Sequence, residues 1–228
     1  MTPESKSNVE ERVLEAATQV FFARGFHNSS LRAIAKRAGT SESGVLRFYH
    51  GKLHLLQSVF ATCWAEINEN LDKAMAVAAE QDPDPRHVLV EVMKAILDDY
   101  HAAEPRMHFM LTTFGYQDAV GHSIDEEPGT DADTEARQQY RRYLTRIYDL
   151  CDAVVAQHPV FAKAGISGAG LAQMFIAMCN GVQGGWYAAK LEPGIDRPQL
   201  TEEEAVRGMR LFLYQSADHG HGDIGGAF

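Results

Sequence analysis

Two short runs of helical periodicity meet at a glycine near position 39, and this junction narrows the possible folds more than any other feature of the chain. Leu31, Ile34, Ala35 and Ala38 recur at i, i+3, i+4 and i+7, a spacing that predicts a helix with one apolar stripe stopping at Gly39. Glycine accepts the left-handed backbone that ends a helix, and Thr40 or Ser41 then offers a hydroxyl to cap a second helix beginning near Glu42. On that second helix Val45 and Tyr49 lie at i and i+4 and form the buried pair, which leaves Ser43, Arg47, Phe48 and His50 to face outward. Such a pair fits a helix-turn-helix presenting its second helix to a groove, and it also fits two neighbours in an ordinary helical bundle.

Charge distribution favours the first option. The 228 residues carry a net charge of -10, which taken alone argues against a polyanionic partner. Residues 1–52, however, hold eight Lys and Arg against five Glu, whereas the remainder holds 13 basic and 26 acidic side chains. Positive charge is thus concentrated where phosphates would be met, and the acidic body would stay off the backbone.

The rest of the chain reads as helices. Ser7 and Glu10 form a capping-box pattern, so a first helix is expected from about Asn8 to Gly25. A long helix is expected from Lys52 to about Glu80, with Leu56, Phe60, Cys63, Ile67 and Leu71 on one face. After a proline-containing break at 81–85, helical spacing returns through Leu89, Val92, Ile96 and Tyr100, and another start is expected at Glu104-Pro105. The acidic, Pro-Gly-containing stretch 121–130 reads as a loop, and residues 131–158 as a long helix whose Arg137, Arg141, Arg142 and Arg146 lie largely off the apolar face. In residues 168–190, Leu171, Phe175, Met178, Val182 and Trp186 make a bulky stripe, with a second stripe of small residues at Ala177, Gly181, Gly184 and Ala188. Glycine inside a helix costs roughly 1 kcal/mol relative to alanine, so this stripe implies close approach of another backbone and burial on two sides. Thr201 and Glu204 form a second capping box that opens a last helix, and the Gly-rich residues 217–228 are expected to be a disordered tail.

Little in the sequence suggests catalysis. There is no nucleophile elbow, P-loop or dinucleotide fingerprint, and Gly181-x-x-Gly184-Gly185 lies in a helical pattern instead of following a strand. No cofactor, catalytic residue or metal site is therefore expected. The three cysteines, Cys63, Cys151 and Cys179, are far apart and sit inside apolar helical patterns, so they read as buried thiols in a reducing cytoplasm. No N-terminal h-region and no run of about 18 apolar residues occurs, so no membrane association is expected.

Residues 8–56 resemble the N-terminal domain of the tetracycline-repressor (TetR) family. The family's Phe-x-x-x-Gly-Phe, Ile-Ala-x-x-Ala-Gly and closing aromatic-plus-lysine features stand here as Phe22 to Phe26, Ile34 to Gly39, and Tyr49 with Lys52. The chain departs at Leu46, where the family usually has a phosphate-contacting Tyr, and at Phe48, where it often has His. Arg47 is then expected at a guanine edge and Phe48 at a thymine methyl, with Ser43 and His50 on the same surface. Ser29, Ser30, Thr40, Ser41 and Lys52 are expected to position the phosphate backbone.

The resemblance implies an all-α protein in which a three-helix, helix-turn-helix DNA-binding head (1–52) is joined by a long helix to a larger helical bundle (53–216) for ligand binding and dimerisation. It implies a cytoplasmic transcriptional repressor that binds pseudo-palindromic operator DNA as a homodimer and is released by a small-molecule effector. Trp64, Met107, Met110, Phe114, Tyr143, Ile147, Met178 and Trp186 come from the helices that would surround the effector, and their chemistry favours a largely apolar aromatic or acyl ligand. The dimer interface is expected to include Ala177, Gly181, Gly184 and Ala188 with the last helix. The rival reading is a helical enzyme or small-molecule-binding protein without specific DNA binding.

Overall fold

The computed structural model describes residues 3–102, 131–191 and 200–218, and their regular secondary structure is entirely α-helical. The helices are α1 (Pro3–Arg24), α2 (Leu31–Arg37), α3 (Glu42–Leu46), α4 (Lys52–Gln81), α5 (Pro85–Ala102), α6 (Asp131–Gln157), α7 (Pro159–Lys163), α8 (Gly168–Leu191) and α9 (Glu202–Asp218). The all-α class follows from the periodicities, as do the junctions at Gly39, at Lys52 and at residues 82–84. Two boundaries differ from expectation. Helix α1 begins at Pro3, because proline's fixed φ suits a first helical position, so Ser7 and Glu10 lie inside the helix and not at its start. The five-residue α7 was absent from the periodicity, since Pro159 and Phe161 are too few to define one.

The described residues form two compact units. In the first, residues 3–68 pack with 131–142. Val13, Phe21, Ile34, Val45, Leu55 and Val59 are completely buried at its centre, drawn from all four N-terminal helices, with Tyr49 5% exposed beside them. Helix α6 adds Ala136 to this core and Tyr140 against the Trp64 ring, 4.9 Å between centroids. The buried Asn68 amide donates to the Gln139 carbonyl at 2.8 Å, which satisfies a group that would otherwise be costly to bury.

In the second unit α5 packs against α8 and α9. Leu89, Met93 and Leu97 meet a core that also takes Ile147, Cys151, Val154, Phe161, Leu171, Phe175, Met209 and Leu213. Helix α9 opens with a complete capping box: the Thr201 backbone N–H donates to Glu204 Oε2 at 2.8 Å, and the Glu204 N–H donates to Thr201 Oγ1 at 3.2 Å. A polar cluster ties the turn before α5 to the end of α6. Asp84 accepts from Arg86 Nη2 at 2.6 Å and pairs with His158 Nε2 at 3.1 Å, while the Arg86 guanidinium lies 4.4 Å over the Tyr214 ring.

Candidate nucleic-acid interface

The turn that presents α3 is built from backbone hydrogen bonds. Gly39 sits at φ 67°, and the N–H groups of Gly39 and Thr40 donate to the carbonyls of Lys36 and Ala35 at 3.4 and 2.9 Å, a Schellman closure of α2. Ser30 caps α2 by accepting from the Ala33 N–H at 3.2 Å, and Ser41 caps α3 by accepting from the Gly44 N–H at 3.1 Å. Val45 at 0% and Tyr49 at 5% exposure anchor α3 in the head, and burial with the nearby Glu10 carboxylate pushes the Tyr49 phenol up to about 12. Their complement is a solvent face of Ser43, Leu46, Arg47 and His50, all exposed.

The residues expected at DNA fall into three groups. Ser30, Ser41, Ser43, Arg47 and His50 are exposed, Thr40 is half-buried, and the Ser41 and Ser43 hydroxyls bond each other at 2.9 Å. Phe48 is half-buried and packs against the head core, so it is not part of the solvent face. Ser29 and Lys52 turn inward. Ser29, 5% exposed, donates its hydroxyl to the Gly25 carbonyl at 2.6 Å. Lys52 Nζ donates to the Phe26 and Ser29 carbonyls at 3.0 Å each and stands 4.2 Å over the Phe26 ring. Both therefore close the α1–α2 connection, whose carbonyls have no helical partners to satisfy them. Two residues escaped sequence reasoning. Leu46, at 48% exposure, lies on the outward face, and its only signal was its departure from the family's Tyr. His54 Nδ1 accepts from the His50 N–H at 3.0 Å, and the two imidazoles stack at 5.0 Å.

Residues 13–59, which hold the end of α1, all of α2 and α3 and the start of α4, match the sequence model described as "Bacterial regulatory proteins, tetR family". Over these residues the chain is similar to the TetR family. A relative, the HTH-type transcriptional repressor BepR of Brucella suis biovar 1 (strain 1330), is 30% identical over 112 residues, 49% of this chain and 51% of that protein. The curated relatives it matches are spanned over only 24% to 51% of their lengths. Similarity of fold extends further. The fatty acid degradation regulator FadR from Bacillus halodurans aligns over 93% of this chain and 95% of its own at TM-score 0.63 and 15% identity. AibR, in a complex with isovaleryl coenzyme A and operator DNA, aligns over 90% and 98% at TM-score 0.55 and 17% identity.

Of the residues expected at an effector, Trp64 packs beside the head core in the first unit. Tyr143 and Met178 are half-buried, Ile147 is fully buried and Trp186 is 9% exposed, all in the second unit. Trp186 donates its indole N–H to the Leu200 carbonyl at 2.6 Å and packs 5.4 Å from the Tyr100 ring. Arg146 pairs with Asp72, Nε to Oδ1 at 2.7 Å, while Arg137, Arg141 and Arg142 are exposed. Met107, Met110 and Phe114 lie outside the described residues, as do the loop at 121–130 and residues 219–228.

The small-residue stripe, expected at a dimer interface, lies on the surface of the single chain. Ala177, Gly181 and Gly184 are exposed, and a Cβ added at either glycine meets nothing within 4 Å among the described residues. Ala188 lies where side chains are outside the described set. Met174, at 42% exposure, extends the same face of α8, and Leu211 is 47% exposed on α9. The three cysteine thiols are buried, and burial pushes Cys151 and Cys179 up to about 12. Among the described residues no helix is long and apolar enough to cross a membrane.

Proposed function

We propose that the chain is a DNA-binding transcriptional regulator without enzymatic activity, acting in the cytoplasm as a homodimeric repressor that a small, largely apolar ligand releases from a pseudo-palindromic operator. The observation that carries this reading is the exposed face of α3, held by the buried Val45 and Tyr49 on a segment with eight basic and five acidic residues. Residues 1–52 serve DNA and 53–216 serve ligand and partner. Arg47 and Ser43 meet base edges, while Ser30, Thr40 and Ser41 position phosphates. Arg47→Ala should then weaken operator binding by about 1 to 3 kcal/mol and relax preference at one position. Affinity should fall steeply with added salt as counterions are released from phosphates. Absence of any affinity, even at low salt, for DNA from beside the chain's own gene would defeat the reading.

The exposed Ala177, Gly181 and Gly184 face, with Met174 and α9, is the proposed two-fold interface, which is why the operator should be a pseudo-palindrome. The proposed ligand contacts are Tyr143, Ile147, Met178 and Trp186, whose chemistry suits an acyl chain. AibR's complex with isovaleryl coenzyme A makes acyl thioesters the first class to test. Helix α4 is the proposed link, since one continuous helix starts after α3 and supplies residues to both units. Release requires the ligand to favour the DNA-incompetent state, a coupling typically of about 1 to 3 kcal/mol. A ligand at about a hundred times its dissociation constant should stabilise the fold by about 2.7 kcal/mol, readable as a thermal shift with a change in Trp186 fluorescence. Compounds that bind and leave operator affinity unchanged would make the site non-regulatory.

A further inference from the structure

We infer that Leu46 is a specificity-determining residue that packs on the 5-methyl group of a thymine next to the base read by Arg47; this rests on the DNA-binding reading above. Single exposed leucines are common on protein surfaces, so exposure alone assigns nothing. Position does. Leu46 is 48% exposed and lies three residues after Ser43 and one before Arg47, both exposed, on the segment that the buried Val45 and Tyr49 anchor. A duplex lying along the exposed Ser43, Leu46 and Arg47 would meet Leu46 as well as Arg47. Its side chain has no donor or acceptor, so it cannot hold a phosphate, and the apolar feature that base edges offer in the major groove is the thymine methyl. Phe48, the obvious alternative by sequence, is half-buried and committed to the head core. The apolar base contact therefore moves two residues towards the N-terminus, onto the position where the family's pattern has a phosphate-binding hydroxyl.

The test uses the full-length protein and a DNA site selected by it, in which each thymine is replaced in turn by deoxyuridine. That exchange removes a methyl group and leaves every hydrogen-bonding group in place. Wild-type protein should lose about fourfold in affinity at one thymine per half-site, the value of one buried methyl. Leu46→Ala should bind thymine and deoxyuridine sites equally there, and Leu46→Met should keep the discrimination. Because Leu46 is exposed, both variants should unfold at the wild-type temperature, and the thymine-to-deoxyuridine ratio does not depend on stability in any case. The inference is overturned if no single exchange weakens wild-type binding, if Leu46→Ala loses the same factor as wild type, or if the selected half-site has no thymine. Failure to select any DNA is a different result, which removes the DNA-binding reading itself and this inference with it.

Discussion

At the scale of single residues, the charged groups that matter for the fold are those whose partners lie in other segments. Lys52 joins the start of α4 to the α1–α2 connection through two carbonyls and the Phe26 ring. Hydrogen bonds from a charged donor are worth about 1.5 to 3 kcal/mol, so Lys52→Met should lower stability by about 2 kcal/mol with no DNA present. Urea unfolding measures this, and an unchanged midpoint would return Lys52 to a purely phosphate-contacting role. Asp84 is the counterpart in the second unit. Hydrogen bonds from the Arg86 side chain are the main cause lowering its carboxyl from 3.8 to about 2, with the Arg86 N–H and His158 adding to the effect and partial burial opposing it. A folded-state value below the unfolded one stabilises the protein above the unfolded value and loses that contribution as pH falls through the folded one. The stability gap between wild type and Asp84→Asn should accordingly be constant near neutrality and shrink between pH 3.8 and about 2. A gap that stays constant to the acid end would show that the carboxylate's charge is irrelevant there.

At the scale of elements, α3 depends on its surroundings. Five residues cannot sustain a helix in water, so its place is set by the Ser41 cap, the Gly39 turn and the burial of Val45 and Tyr49. Gly39→Ala puts a Cβ on a residue at φ 67°, a conformation that disfavours side chains by about 1 to 2 kcal/mol. The space around Gly39 is open, so the effect should come from backbone strain alone, and Gly39→Asn should be milder. Thermal unfolding and operator titration should both report it, in the same order of variants. If Ala and Asn behave alike, the turn has relaxed away from the left-handed region.

For the whole molecule, the distinction is between surfaces buried within the chain and surfaces left for a partner. Gly184 tests it directly, because a Cβ added there meets nothing within 4 Å among the described residues. Gly184→Leu should fold normally by circular dichroism yet sediment as a monomer and bind operator weakly. A variant that remains dimeric places the interface elsewhere. The concentration of basic residues in 1–52 of an otherwise acidic chain belongs to the same scale, as it determines which end approaches a polyanion.

Periodicity and turn chemistry, both local, determined the helical class, the junction at Gly39, the Thr201–Glu204 capping box and the buried pair Val45 and Tyr49. Each depends on residues within a few positions of one another, so their spacing carries the information. What depended on distant segments was decided only in three dimensions. Ser29 and Lys52 resembled phosphate ligands until the carbonyls of the α1–α2 connection were seen to claim them. Phe48 is partly covered and Leu46 exposed because packing of the α3 segment onto the head core selects which apolar residue is covered, and a five-residue helix has too few turns to define its own stripe. The stripe on α8 was legible as a run of small residues, but that it is exposed among the described residues depended on where α5 and α9 pack, against the opposite, bulky face.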